Sequence, residues 1–247
     1  GDSDPIPAGA GHRPLGGVRV LDLTRVLAGP TAARTLAEHG AHVLRIASPL
    51  YPDVAPMVRD TGHGKRSTVL DLRTTEGAGA LRRLIEGADV FSQGYRPGAI
   101  ARLGFSPEEL ATIRPGIISL SISAFGVVGP WGDSRGFDSV VQAASGVAEE
   151  MGGIFGLERR AREGGSYHIE LSLAQTGRYL NDLPRVDAAA AAGRAPELPK
   201  ARLDELLVER DTPYGMLKYL KPAARLSATP ARWELPTVPV DNDRPQW

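Results

Sequence analysis

Apolar and polar positions in the first half of the chain follow two alternating periods. Short runs rich in leucine and β-branched residues, typical of buried strands, alternate with stretches whose apolar residues recur at helical spacing. The strand-like runs begin at Val18, His42, Ser67, Asp89 and Ile117. This βα order predicts an α/β fold with a Rossmann-like, mostly parallel sheet and helices on both faces.

Terminal signals support the helices between these strands. The pattern predicts helices over residues 31–39 and 75–86, each ended by a glycine, and a short helix over residues 97–103. Ser106 to Glu109 reads as an N-cap, a proline in the first turn and two acidic first-turn residues. Residues 48–65 are rich in Pro, Gly and Asp and are expected to form a long loop.

The second half of the chain is less regular. A helix is predicted over residues 138–149, a strand over 167–173 and a helix over 174–180. Residues 222–247 have almost no helical period, so we expect an extended tail that lies over another surface. The sequence therefore predicts a Rossmann-like domain over residues 1–180, followed over 181–247 by a linker and a wrapping C-terminal segment.

Composition and charge narrow the function. Lys and Arg total 29, as do Asp and Glu, so the formal net charge is zero and the chain lacks the basic field expected of a nucleic-acid binder. There is no cysteine, which excludes a thiol nucleophile and a thiolate metal site. No apolar run reaches membrane length and the first residues do not resemble a secretory signal. We expect a cytoplasmic protein without a membrane or nucleic-acid partner.

Common catalytic motifs are missing from the sequence. No G-x-G-x-x-G follows the first strand, and no Walker A motif is present. The five histidines are scattered, so no metal site is expected. Ser145 and Gly146 lack the G-x-S-x-G pattern of a nucleophile elbow.

Polar residues do collect near the predicted strand ends. Since connections at the carboxyl ends of parallel strands converge on one crevice, several cations could meet an anionic ligand there. For any single arginine, a solvated surface position is the alternative. The group as a whole favours a phosphate-bearing ligand, and it comprises Arg25, Lys65, Arg66, Arg73, Tyr95 to Gly98 and Arg135.

Six sequence blocks, in order over residues 17–146, resemble those of the class III coenzyme A transferases, the CaiB/BaiF family. This family includes formyl-CoA transferase and α-methylacyl-CoA racemase. The blocks are GVRVLDLTRVLAGP (17–30), GAHVLRI (40–46), GKRSTVLDL (64–72), YRPGAIARLG (95–104), SISAFGVVGP (121–130) and GFDSVVQAASG (136–146).

The resemblance implies a CoA-binding Rossmann-like domain in an interlocked homodimer whose substrates are an acyl-CoA and a carboxylic acid. It places Val26, Leu27 and Ala28 at the adenine end of CoA, with Leu70 and Arg73 beside them. It places Gly94, Tyr95 and Arg102 near the diphosphate and pantetheine, and Arg135 near the 3′-phosphate. The family's chemistry runs through an aspartate that attacks the thioester and forms a mixed anhydride, then an aspartyl-CoA thioester.

Three departures from the family pattern bear on activity. The stretch that carries the nucleophilic aspartate in the family is missing between Gly153 and Ile154. Either the protein has this loop and the present sequence omits it, or the loop is truly deleted. The small domain with its glycine-rich loop is not visible over residues 179–202. Phe137 stands where the racemase branch has histidine, which disfavours racemisation by a His/Asp acid–base pair. Asp138, at the start of a predicted helix, is expected to cap or orient rather than attack, a supporting role.

Three functions remain open from the sequence. A CoA-transferase is favoured, an acyl-CoA racemase or isomerase is the first alternative, and a catalytically silent CoA-binding module is the second. Trp233 and Trp247 in the tail have no partner face within their own segment. Because exposed tryptophans are costly, we expect a dimer that covers them.

Overall fold

A six-stranded parallel sheet forms the centre of the structure, a computed structural model that describes residues 13–130, 132, 156–184 and 197–247. Neighbouring strands are parallel throughout, in the order β3-β2-β1-β4-β5-β6. The strands are β1 (Arg19–Leu23), β2 (His42–Ala47), β3 (Lys65–Val69), β4 (Val90–Gln93), β5 (Ile118–Ser123) and β6 (Tyr167–Ser172).

Helices cover both faces of this sheet, as predicted. Leu21, Leu44 and Phe91 pack on one face against α3 and α4. Val20 and Val43 pack on the other face against α1 and a helical segment over residues 156–163. The helices are α1 (Ala28–Glu38), α2 (Ala55–Thr61), α3 (Thr75–Glu86), α4 (Pro107–Ile113) and α5 (Leu173–Asp182). Within the described ranges, no helix is long and apolar enough to cross a bilayer.

Local signals identified some elements and missed others. Ser106 forms the capping box of α4: its Oγ accepts from the Glu109 N–H, and the Glu109 carboxylate accepts from the Ser106 N–H. The predicted loop over residues 48–65 is wrong in part, because it contains α2. Only Val58 and Thr61 of that helix are buried, so it leaves almost no apolar period. Residues 97–103 form only a 3-10 turn, at Ala101–Leu103.

The start of α1 also differs from the expectation. The helix begins at Ala28 rather than Thr31 and therefore includes Gly29 and Pro30 in its first turn. Proline is tolerated there because first-turn N–H groups have no partner within the helix. The predicted helix over residues 138–149 lies outside the described residues.

A helix and a hairpin that the sequence did not predict precede the tail. They are α6 (Lys200–Leu206) and the antiparallel pair β7 (Leu207–Thr212) and β8 (Gly215–Leu220). Their side chains are mostly exposed, so the apolar alternation that marks a half-buried strand is weak. The domain division at residue 180 stays a prediction.

The tail over residues 222–247 contains no helix or strand and lies on the sheet of its own chain. The indole N–H of Trp233 donates to the Arg34 carbonyl of α1 at 3.1 Å, and that of Trp247 donates to the Leu84 carbonyl of α3 at 2.8 Å. The tryptophans are thus covered within the chain and give no support for a dimer.

Two tail carboxylates also cap the outer edge of β3. Asp243 accepts from the Ser67 N–H at 2.9 Å, and Asp241 accepts from the Val69 N–H at 3.1 Å. Unpaired N–H groups on an edge strand invite pairing with another chain. The Asp243 N–H also donates to the Ser67 carbonyl at 2.8 Å, so the tail closes this edge with two side chains and a backbone hydrogen bond.

Candidate functional site

A cleft opens at the carboxyl ends of β1 and β4, the two central strands. The chain leaves β1 toward β2 on one side and leaves β4 toward β5 on the other, which creates the crevice where open α/β sheets bind ligands. The cavity there has a volume of about 530 Å³. Its walls are the connections that follow β1, β4 and β5, with Tyr51 from the segment after β2.

Most of the sequence-predicted CoA residues line this cleft. They are Val26, Leu27, Ala28, Gly94, Tyr95 and Arg102. Two others do not line it. Leu70 is buried in the core beneath α3, and the guanidinium of Arg73 donates to the Asp71 carboxylate at 3.0 and 2.8 Å. Arg135 and Asp138 lie outside the described residues.

The cleft is positively charged. Arg25, Arg96 and Arg102 line it, whereas none of its described lining residues is an aspartate or a glutamate. The Arg25 guanidinium donates to the Pro52 carbonyl at 2.8 Å and lies 4.9 Å from the centre of the Tyr51 ring. Arginine binds phosphate well through its planar fork of donors. This arrangement suits a ligand that carries several phosphates.

Three cations that the sequence grouped with this site do not line the cleft. Lys65 and Arg66 are at the amino end of β3, away from the cleft, and Arg73 is engaged by Asp71. Lys65 is fully buried, and Arg66 donates to the Gln246 carbonyl of the tail at 2.6 Å. Arg102 therefore lines the cleft and Arg73 does not, and contact between Arg73 and CoA stays a prediction.

A buried ion pair anchors the loop that forms one wall of the cleft. The Lys65 ammonium donates to the Asp22 carboxylate and to the Pro30 carbonyl, both at 2.7 Å. The other oxygen of Asp22 accepts from the Thr24 N–H at 3.0 Å and from the Thr24 hydroxyl. Burial lowers the pKa of Lys65, and the Asp22 charge opposes that shift. This pair ties β1, β3 and the first turn of α1 together.

The same loop has little conformational freedom. Val26 has a φ of 73°, a left-handed conformation that is costly for a β-branched residue and persists only where the surroundings enforce it. A Cβ added at Gly29 would lie within 2.5 Å of two carbons of the Thr24 side chain. The start of α1 is therefore held against Thr24, and larger residues at position 29 do not fit without a shift.

The start of α1 faces the cleft with its first turn. Ala28 and Gly29 line the cavity, and Leu27 provides no side-chain cap. First-turn N–H groups lack partners within the helix, and the helix dipole favours negative charge at this end. The first turn thus adds to the attraction that the arginines exert on an anion.

Two tyrosines, Tyr51 and Tyr95, supply aromatic surface in the cleft. Burial raises the pKa of Tyr95, which keeps its hydroxyl neutral. The segment with Tyr51 is tied to β2 because Arg45 pairs with Asp53 at 2.6 Å.

The sequence analysis missed Tyr51 and the ion pair between Asp22 and Lys65. Tyr51 lies in a segment with no motif, and no local pattern connects residues 22 and 65. Among the described residues, no group of three acidic or histidine side chains could hold a metal ion.

Comparison with known proteins finds CoA-transferases among the proteins similar to this chain. The sequence profile of CoA-transferase family III matches residues 15–162, more than half of the chain. Succinate–glutarate CoA-transferase of Agrobacterium fabrum is 38% identical over 151 residues, which cover 54% of this chain and 38% of that protein. Acetyl-coenzyme A transferase nodX of Hypoxylon pulicicidum is 33% identical over 199 residues, 68% of this chain and 34% of that protein. The chain thus spans well under half the length of these relatives.

Solved structures agree with the fold. A CAIB/BAIF family protein from Brucella suis matches with a TM-score of 0.62 and 28% identity, over 75% of this chain and 59% of that one. A mutant form of Rv3272 from Mycobacterium tuberculosis matches with a TM-score of 0.77 over 93% of this chain and 97% of that one. Its identity is 19%, so that match supports the fold alone.

Proposed function

Because this chain belongs to CoA-transferase family III, we propose that it binds CoA and takes part in moving CoA from an acyl-CoA to a carboxylic acid. One observation carries this proposal: the cleft at the centre of the sheet combines three arginines with no carboxylate among its described lining residues. CoA carries several negative charges, so this cleft attracts it.

In the proposed complex, the loop from Val26 to Ala28 holds the adenine end of CoA, and Tyr95 and Arg102 approach the diphosphate and pantetheine. The first turn of α1 adds N–H donors for an anionic group. Asp71 already holds two donor nitrogens of Arg73, at 3.0 and 2.8 Å, and Arg73 does not line the cleft. We therefore place Arg102 ahead of Arg73 as the phosphate-binding residue.

The proposed chemistry is attack of an aspartate carboxylate on the thioester carbonyl, followed by a mixed anhydride and an aspartyl-CoA thioester. No described residue of the cleft supplies that carboxylate. We therefore assign the nucleophile to a residue outside the described ones or to the partner chain of an interlocked homodimer. The second candidate is a silent CoA-binding module, which the missing family stretch between Gly153 and Ile154 favours.

Titration calorimetry with CoA tests the binding step. We expect Arg102→Ala to weaken binding by more than about tenfold, because a hydrogen bond to a charged group is lost. Arg83→Ala is the matched control, since Arg83 is exposed on the last turn of α3 and does not line the cleft. A folded protein that gives no heat with millimolar CoA would refute the proposal.

Trapping separates the transferase from the silent module. The protein is incubated with succinyl-CoA and reduced with borohydride, and the modified peptide is located by mass spectrometry. An aspartate converted to its alcohol supports transfer, and label on Asp138 would make that residue the nucleophile rather than a supporting group. CoA binding without any label favours the silent module. A solution mass near the 26.2 kDa of one chain would contradict the dimer.

A further inference from the structure

A second cavity of about 220 Å³ lies beside the cleft, over the α4 side of β4, β5 and β6. The two cavities share Tyr95, Pro97, Ile122 and Ser123 in their walls. Part of the second cavity is apolar, with Phe91, Ile100, Phe105 and Leu110 among its lining residues. A group that extends from a ligand in the cleft therefore has an adjoining chamber to enter.

The opposite wall of this chamber carries a serine, a histidine and a glutamate in hydrogen-bonded sequence. Ser119 Oγ lies 2.5 Å from Nδ1 of His168, and Nε2 of His168 lies 3.3 Å from Oε1 of Glu170. Strand pairing sets this geometry, because Ser119 of β5 stands opposite His168 of β6 and Glu170 follows on the same face. All three residues line the cavity.

These contacts define a role for each group. When Nε2 of His168 donates to the Glu170 carboxylate, Nδ1 carries the lone pair and accepts from the Ser119 hydroxyl. Ser119 is 4% exposed, so water does not compete strongly for its hydroxyl. A serine paired with a histidine that a carboxylate orients is the arrangement that activates a serine nucleophile, whatever the fold.

The neighbouring position supplies hydrogen-bond donors. Gln93 is fixed at both ends of its amide, since Nε2 donates to Ser121 Oγ at 2.9 Å and Oε1 accepts from the Tyr95 N–H at 2.9 Å. An amide nitrogen has two hydrogens and a hydroxyl that accepts can also donate, so the pair retains donor capacity. Both residues line the cavity and can stabilise a developing oxyanion.

We propose that Ser119, with His168 as general base and Glu170 as the positioning carboxylate, hydrolyses short acyl thioesters in this chamber. The Ser119 oxygen attacks the thioester carbonyl while its proton passes to His168. The C–S bond breaks, and His168 returns the proton to the departing sulfur, which leaves a free thiol and an acyl-serine. Water then attacks the acyl-serine through His168 and releases the carboxylic acid and the serine hydroxyl. The small chamber selects short acyl groups.

Delivery of the acyl group by CoA through the cleft rests on the proposed function, whereas the serine chemistry does not. Two probes separate these points: acetyl-CoA, and the acetyl thioester of N-acetylcysteamine, which has no nucleotide. Released thiol is measured with a disulfide reagent, and the chain contributes no background because it contains no cysteine. CoA binding is measured separately by calorimetry, so its failure is distinguishable from failure of hydrolysis.

We expect Ser119→Ala and His168→Gln to lower hydrolysis of both thioesters at least tenfold. Ser172→Ala is the matched control, since Ser172 ends β6 and its hydroxyl donates to the Ala124 carbonyl away from His168. A fluorophosphonate should modify Ser119 in the parent protein and in the control. If only the small thioester is hydrolysed, the proposed role of Ser119 stands, and the proposal that CoA delivers the acyl group through the cleft is wrong.

A thiol variant distinguishes activation from a structural hydrogen bond. Ser119→Cys introduces the only cysteine of the chain, and Ser172→Cys provides its control. If His168 activates position 119, iodoacetamide should alkylate Ser119→Cys at least tenfold faster than Ser172→Cys at pH 7, because the thiolate is the reactive form. Equal rates in these folded variants, or no hydrolysis and no fluorophosphonate adduct in the parent protein, would overturn the proposal.

Discussion

Replacing Lys65 with methionine tests whether the buried Asp22–Lys65 pair holds the wall of the cleft. Asp22 is 0% exposed and Lys65 is 1% exposed, so neither charge has access to solvent. The substitution removes the ammonium and two hydrogen bonds of 2.7 Å, to the Asp22 carboxylate and to the Pro30 carbonyl. It keeps a side chain of similar length in the same space.

The expected loss follows from what remains after the change. Breaking a buried ion pair by removing one partner costs about 3–5 kcal/mol of unfolding free energy. Asp22 would still accept from the backbone N–H and the hydroxyl of Thr24, so we expect the lower end, about 3 kcal/mol. Adding Asp22→Asn removes the unpaired charge, and the double variant should recover at least about 1.5 kcal/mol relative to the sum of the single changes.

Urea unfolding followed by circular dichroism measures these differences. Lys218→Met is the control: its ammonium is half-exposed and lies 3.7 and 3.8 Å from two carboxylates, so its loss should cost less than about 1 kcal/mol. CoA affinity should fall in Lys65→Met and stay unchanged in Lys218→Met. A loss below about 1 kcal/mol in Lys65→Met, or strict additivity in the double variant, would refute the reasoning.

Two further predictions concern the cleft loop and the buried His63. Gly29→Ala should weaken CoA binding at least tenfold in calorimetry, because the added Cβ would lie 2.4 Å from Thr24 Cβ. The control is Gly79→Ala, where the nearest atom is 3.7 Å away and CoA affinity should not change. Equal CoA affinities of the two variants would contradict this prediction. Burial beside Tyr219 and Trp233 lowers the pKa of His63 from 6.5 to about 4. Because the unfolded chain then binds this proton more readily than the folded one, the contribution of His63 to the unfolding free energy is complete above pH 6.5 and is lost as the pH falls toward 4. In His63→Leu, the loss of unfolding free energy between pH 7 and 4.5 should be smaller by about 2 kcal/mol, and an unchanged loss would exclude His63 as the cause.

The sequence by itself determined the βα order, the parallel sheet and most of the cleft wall. These features depend on local patterns: buried strands read as continuous apolar runs, and a loop that follows a strand is adjacent to it in the chain. Val26 to Ala28 after β1 and Gly94 to Arg102 after β4 are therefore identifiable from the sequence as segments that leave strand ends. Once the strand order places β1 beside β4, the two segments meet in one cleft.

Tertiary structure alone decided which cations line the cleft and which pair with carboxylates outside it. Lys65, Arg73 and Arg102 look alike in the sequence, yet Lys65 pairs with Asp22 in the core, Arg73 pairs with Asp71, and only Arg102 lines the cavity. The same holds for Ser119 and His168, which 48 intervening positions separate and strand pairing joins. The physical reason is that the role of a charge or hydroxyl depends on its burial and its partners, and contacts between distant segments set both.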